Sequence, residues 1–99
     1  MISLLPLTIG ATDARTNWTN NCVQCHGPDG RSNTPMGKAL NAKNLTDTEV
    51  QASFSDAQAV DALKNGVQRN GAMVMTPFGA KFSDEEIKAL IAYVRTLKK

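Results

Sequence analysis

Cys22-Val23-Gln24-Cys25-His26 decides the reading of this chain. Two cysteines flank two residues and a histidine follows at once, the spacing at which a haem is joined covalently to protein. Each thiol can add to one vinyl group of the porphyrin, and the two-residue gap lets both reach along one short helical turn. His26 then lies directly under the iron and can supply its imidazole as the proximal ligand. The competing readings are weak. A structural zinc site needs four Cys or His ligands, and the whole sequence holds two cysteines and one histidine. A thioredoxin-like CxxC sits beside a βαβ pattern, and none is visible here. A plain disulfide leaves His26 unexplained.

The rest of the composition is consistent with a small domain built on such a group. Ninety-nine residues make one domain at most. A chain this short buries a modest share of its surface, so a covalent haem adds a large apolar body to a core that has three Phe, one Trp and one Tyr. The formal charge of +2 is too small to point to nucleic acid, and there is no long basic run. Both cysteines are used in the motif, so cysteine count does not fix the compartment.

Outward from the motif, residues 1–11 form an apolar stretch with Ile2, Leu4, Leu5, Leu7 and Ile9. It is too short for a bilayer-spanning helix, which needs about 20 residues. It reads as an N-terminal arm, a signal or anchor remnant or a segment packed on the domain, ahead of a domain over 12–99. Pro6 argues against a regular helix in it. Thr12 or Asp13 is expected to cap a first helix running to about Asn21, with Ala14, Trp18 and Cys22 on one face. Gly27-Pro28-Asp29-Gly30 is a dense turn signal. Residues 31–44 read as irregular, with at most a short helical turn, and Arg31, Asn33 and Asn41 there could meet haem propionates.

Three capping boxes follow. Thr46-Asp47-Thr48-Glu49 announces a short helix to about Ser53, and Ser55-Asp56-Ala57-Gln58 a second to about Asn65, stopped by Gly66. Ser83-Asp84-Glu85-Glu86 opens the longest helix, through Leu97, on an apolar stripe of Ile87, Leu90, Ile91 and Val94. No strand pair and no internal repeat is expected. Between the second and third boxes lies Met73-Val74-Met75-Thr76-Pro77-Phe78-Gly79. A methionine thioether is a soft donor that suits haem iron, and paired with His it raises the reduction potential. Met36, Met73 and Met75 all qualify by chemistry alone.

Taken in order, CVQCH, the Met-Thr-Pro segment and Phe82-Ser83-Asp84-Glu85-Glu86-Ile87 … Leu90 … Tyr93-Val94 resemble the class I c-type cytochromes, small monohaem cytochromes c, over about residues 12–97. The resemblance implies an all-α fold, in which cytochrome c-like helices wrap one covalent haem and the N- and C-terminal helices cross. It implies haem c, one per chain, held by Cys22 and Cys25 and ligated by His26 and Met75. Met75, one residue before the Thr-Pro pair, takes the family's distal position, with Met73 as competitor. It also implies that the Pro28 carbonyl accepts the Nδ1–H of His26 and strengthens it as a ligand. Ala14 stands where the family commonly has glycine.

The implied function is one-electron transfer, with redox proteins as partners, no nucleic acid, a monomeric state and a periplasmic or otherwise extracytoplasmic location. His26 is the sole histidine, so two histidine ligands from this chain are excluded. Lys38, Lys43, Lys64, Arg69, Lys81 and Lys88 are candidates for a cationic ring that meets an acidic partner. The rival is a haem enzyme of peroxidase type, or a sensor of NO or CO, with an open distal site. Against the enzyme, the methionine loop carries no evident acid–base group. A third reading makes the chain one domain of a larger redox enzyme.

Overall fold

The computed structural model describes residues 11–99, and the side chains from Asp13 onward. The expected apolar arm therefore lies outside the described residues, apart from Ala11. Helix α1 spans Ala11–Asn21. It is already helical before Thr12 and Asp13, so neither is its cap; Asp13 sits instead in the first turn, where a carboxylate suits the helix dipole. The expected stripe holds: Ala14, Trp18 and Cys22 are buried. A short helix α2, Val23–His26, continues almost without a break. Cys22 N–H donates to Trp18 O at 2.8 Å and His26 N–H to Cys22 O at 2.9 Å.

Helix α3, Pro35–Leu40, forms where the sequence reads as largely irregular. Its stability comes from its ends. Thr34 caps it by accepting from Gly37 N–H, Pro35 stands in its first turn, and Asn41 closes it in a left-handed conformation. Helix α4 spans Thr48–Ala52. Its cap is Asp47, which accepts from the N–H groups of Glu49 and Val50, and not Thr46 as the box predicts. The reason is competition, since Thr46 is engaged by the Asn44 side chain through both its N–H and its hydroxyl. Helix α5, Asp56–Asn65, carries the complete Ser55–Gln58 box and ends at Gly66.

The expectation of no strand pair is corrected. Strands β1, Val67–Arg69, and β2, Ala72–Met75, form an antiparallel hairpin. Asn70 and Gly71 both have positive φ, 54° and 81°, the requirement of a tight two-residue turn that matches strand twist. Val67 pairs with Met75 and Gln68 with Met73, so Val74 is left over as a bulge.

Helix α6, Asp84–Thr96, carries the complete Ser83–Glu86 box. Its stripe of Ile87, Leu90 and Ile91 is buried in one core with Trp18, Cys22, Leu45, Leu63 and Phe82. Burying each such aliphatic side chain contributes about 1.5–3 kcal/mol. Helix α1 packs against α6, with the Trp18 and Tyr93 rings 5.7 Å apart. The small side chain of Ala14 is buried on that helix. Arg95 ties α6 to the α4–α5 segment, donating to Asp56 Oδ1 at 2.9 Å and to Phe54 O at 2.8 Å.

Candidate haem site

The attachment motif spans the last turn before α2 and α2 itself. Cys22 is buried and Cys25 half-buried, and both are free thiols. Burial, reinforced by the neighbouring Cys25, pushes the Cys22 thiol up to about 11, so it stays neutral near pH 7. Among the described residues no group of three or more His, Cys, Asp or Glu could hold a metal ion.

His26 ends α2, and its ring centroid lies 5.8 Å from that of Trp18. Its Nδ1 stands 3.2 Å from the Lys43 carbonyl oxygen and 3.2 Å from Ser32 Oγ. The expected partner, the Pro28 carbonyl, is not the one the structure gives. Gly27 turns the chain away with a φ of 77°, and the acceptor arrives from the far end of the following loop. A carbonyl oxygen only accepts, so this contact requires the proton on Nδ1 and leaves the Nε2 lone pair available. Burial moves the imidazole below its ordinary value, with the Lys43 carbonyl pulling the other way. A neutral ring with Nδ1 anchored to a carbonyl is the form in which histidine binds metals.

The loop that delivers this carbonyl is pinned to α2. Thr34 Oγ1 donates to Cys25 O at 2.8 Å. At Gly37 a Cβ would lie 2.2 Å from Cys25 O, so only glycine lets α3 approach the attachment turn this closely. Arg31 and Asn41, offered by the sequence as propionate contacts, have local roles. Arg31 pairs with Asp29, its Nε 3.6 Å from the carboxylate, and Asn41 closes α3.

The three thioethers have different surroundings. Met36 and Met73 are 40% and 44% exposed, whereas Met75 is packed against the core cluster. The chain beyond Met75 is held to the end of α5, with Phe78 N–H donating to Leu63 O at 2.7 Å and Gly79 N–H to Lys64 O at 3.2 Å. Gly66 permits this approach, because a Cβ there would lie 2.5 Å from the Met75 carbonyl. Arg69 on β1 donates to Leu40 O at 3.0 Å, joining the methionine hairpin to α3.

The donor set fits a haem. Two unlinked thiols precede a neutral imidazole, a core-packed thioether lies elsewhere in the fold, and the buried Trp18 Nε1 has no hydrogen-bond partner. Of the cations proposed for docking, Lys64 is paired with Asp84 at 2.8 Å and Lys81 donates to Asn21 at 2.6 Å. These join Arg69 in holding the fold, so the surface ring is not formed of free charges alone. Sequence reasoning missed Ser32, and it missed Lys43 as a backbone partner of His26. Neither residue type signals a histidine partner, and only the loop's return brings them to the ring.

Comparison with known proteins agrees with this geometry. Residues 10–94 match the family described as cytochrome C oxidase, cbb3-type, subunit III. The chain is 40% identical over 77 residues to the cbb3-type cytochrome c oxidase subunit FixP of Azorhizobium caulinodans, covering 78% of this chain and 24% of that protein. It thus spans about a quarter of the FixP length. It is 33% identical over 88 residues to cytochrome c-553 of Helicobacter pylori, covering 89% and 81% of the two chains. A solved structure, the KustC0563 c-type cytochrome, superposes with a TM-score of 0.74 at 34% identity, over 87% of this chain and 98% of that one. With the CVQCH turn, the anchored imidazole and the crossing of α1 and α6, these likenesses place the chain in the cbb3-type subunit III cytochrome family, as a small class I c-type cytochrome.

Proposed function

We propose that the chain is a one-electron carrier, with one haem c held by Cys22 and Cys25 and ligated by His26 and Met75. The observation that carries this reading is the His26 ring, fixed through Nδ1 by Lys43 O with Nε2 left free. When bound, the haem supplies a ferrous/ferric couple. The chain's part is to hold and orient. Cys22 and Cys25 would anchor the porphyrin to α2, His26 would supply a nitrogen ligand and Met75 a sulfur ligand. Met75 is preferred to Met73 because it is the methionine packed on the core at the hairpin end. A haem held by both His26 and Met75 would leave no open site on its iron for a substrate. The pinned loop and the short hairpin would hold these two side chains in place whether the iron is ferrous or ferric.

The partners are other redox proteins, met in weak and brief encounters, and the chain works as a monomer without nucleic acid. The FixP relatives are subunits of an oxidase, which supports a terminal oxidase as the class of electron acceptor. The location is periplasmic or otherwise extracytoplasmic, where c-type haem is attached. Among the described residues no helix is long and apolar enough to cross a membrane.

The test is an optical spectrum of the purified haem protein, oxidised and reduced, before and after CO. A low-spin spectrum with the weak far-red methionine-to-iron band, unmoved by CO, is the expected result. A high-spin spectrum, or rapid CO binding, would mean an open distal site and overturn the carrier reading in favour of a haem enzyme or gas sensor.

A further inference from the structure

Ser32 holds a left-handed φ of 61° although it is not glycine, and it is buried. A side chain is strained in that region, so the surroundings must hold it there. They do so at two points. Its N–H donates to His26 O at 2.7 Å, and its hydroxyl donates to the Lys43 carbonyl. The same hydroxyl oxygen stands 3.2 Å from His26 Nδ1, as far as the Lys43 oxygen itself. Serine oxygen, imidazole nitrogen and carbonyl oxygen therefore form a triangle. The Nδ1–H is divided between two acceptors, and the Lys43 carbonyl receives two donors. Both contacts to Nδ1 lie at the long end of the ordinary range of about 2.7–3.2 Å.

We infer that Ser32 is a positioning residue whose hydroxyl weakens the hydrogen bond from His26 to Lys43 and so sets how strongly His26 donates to haem iron. This rests on the ligand assignment proposed above for His26. A strong, two-centred bond from Nδ1–H to a carbonyl makes the opposite nitrogen more basic and favours the oxidised metal. A divided bond leaves the ring a poorer donor and favours the reduced metal. The serine hydroxyl thus raises the reduction potential above that of the same fold without it. Its unusual backbone conformation is what aims the oxygen into the triangle.

The test compares Ser32→Ala and Ser32→Gly with the wild-type haem protein. Each is read by equilibrium redox titration, by the hyperfine-shifted proton signals of the His26 ring, and by the guanidinium unfolding midpoint. Both variants lose the hydroxyl, but glycine accepts a φ of 61° freely and alanine does not. The expected result is a downward shift of potential in both variants, with displaced His26 signals, whatever the difference in their stabilities. A potential that does not move, that rises, or that follows the unfolding midpoint overturns the assignment. If the wild-type spectrum lacks His/Met ligation, the carrier reading fails and takes this assignment with it. If the wild type has that ligation and the potentials stay level, this assignment alone fails.

Discussion

The Nδ1 of His26 lies 3.2 Å from the carbonyl oxygen of Lys43, 17 residues further along the chain. The bond uses the backbone, so the lysine side chain is dispensable to it. Lys43→Ala is expected to keep the low-spin spectrum and change the ligand field little. A change to high spin in that variant would mean that the side chain, not the carbonyl, orients the ring.

Gly37 fixes how closely α3 meets the attachment turn. A Cβ there would lie 2.2 Å from Cys25 O and 2.7 Å from Ser32 O. Both neighbours are backbone and cannot swing away, so Gly37→Ala must shift α3. Overpacking of this kind costs about 1–3 kcal/mol, and the unfolding midpoint of the haem protein should fall accordingly. An unchanged midpoint would show that α3 is not seated against α2 in solution.

Arg69 joins the methionine hairpin to α3 through Leu40 O. The contact is exposed, so its net worth is at most about 1 kcal/mol. Arg69→Gln should therefore ease displacement of Met75 by added imidazole by up to about fivefold, since 1.4 kcal/mol is a factor of ten. Titration of the ferric protein with imidazole measures this, and equal affinities in the two proteins would deny the arginine a role in closing the hairpin.

Glu86 completes the capping box of α6. Its carboxyl sits below the ordinary value, chiefly because the Ser83 backbone N–H donates to it. A depressed folded value means that the stabilisation is present above the ordinary carboxylate range and is lost as pH falls through the folded value. Glu86→Gln keeps an acceptor but does not titrate. Wild type should exceed it in stability at pH 7, and the gap should close as pH falls through and below the ordinary carboxylate range. Denaturant melts at several pH values check this, and a gap that widens in acid would contradict it.

Much of this was legible where the signal is local. CVQCH, the Ser55–Gln58 box and the Ser83–Glu86 box are each written within a few residues, and the structure realises both boxes. The Asn70-Gly71 pair is also local and is a strong hairpin signal; beside the methionines it is easily passed over, which is how the strand pair escapes. Competition hides other features. Thr46 has the right residue type for a cap, yet Asn44 claims it first and Asp47 takes the place. Long-range closure hides the rest. Pro28 is near His26 in sequence, but Lys43 O and Ser32 Oγ reach it only because α3 folds back against Cys25.

The most direct test of the central claim is the far-red methionine-to-iron band in wild type, Met75→Ala and Met73→Ala. Met75 is packed on the core and Met73 is 44% exposed. The band should be present in wild type and in Met73→Ala and absent in Met75→Ala, which should also bind CO when reduced. Loss of the band in Met73→Ala, with Met75→Ala unaffected, would contradict the account and move the distal ligand two residues toward the turn.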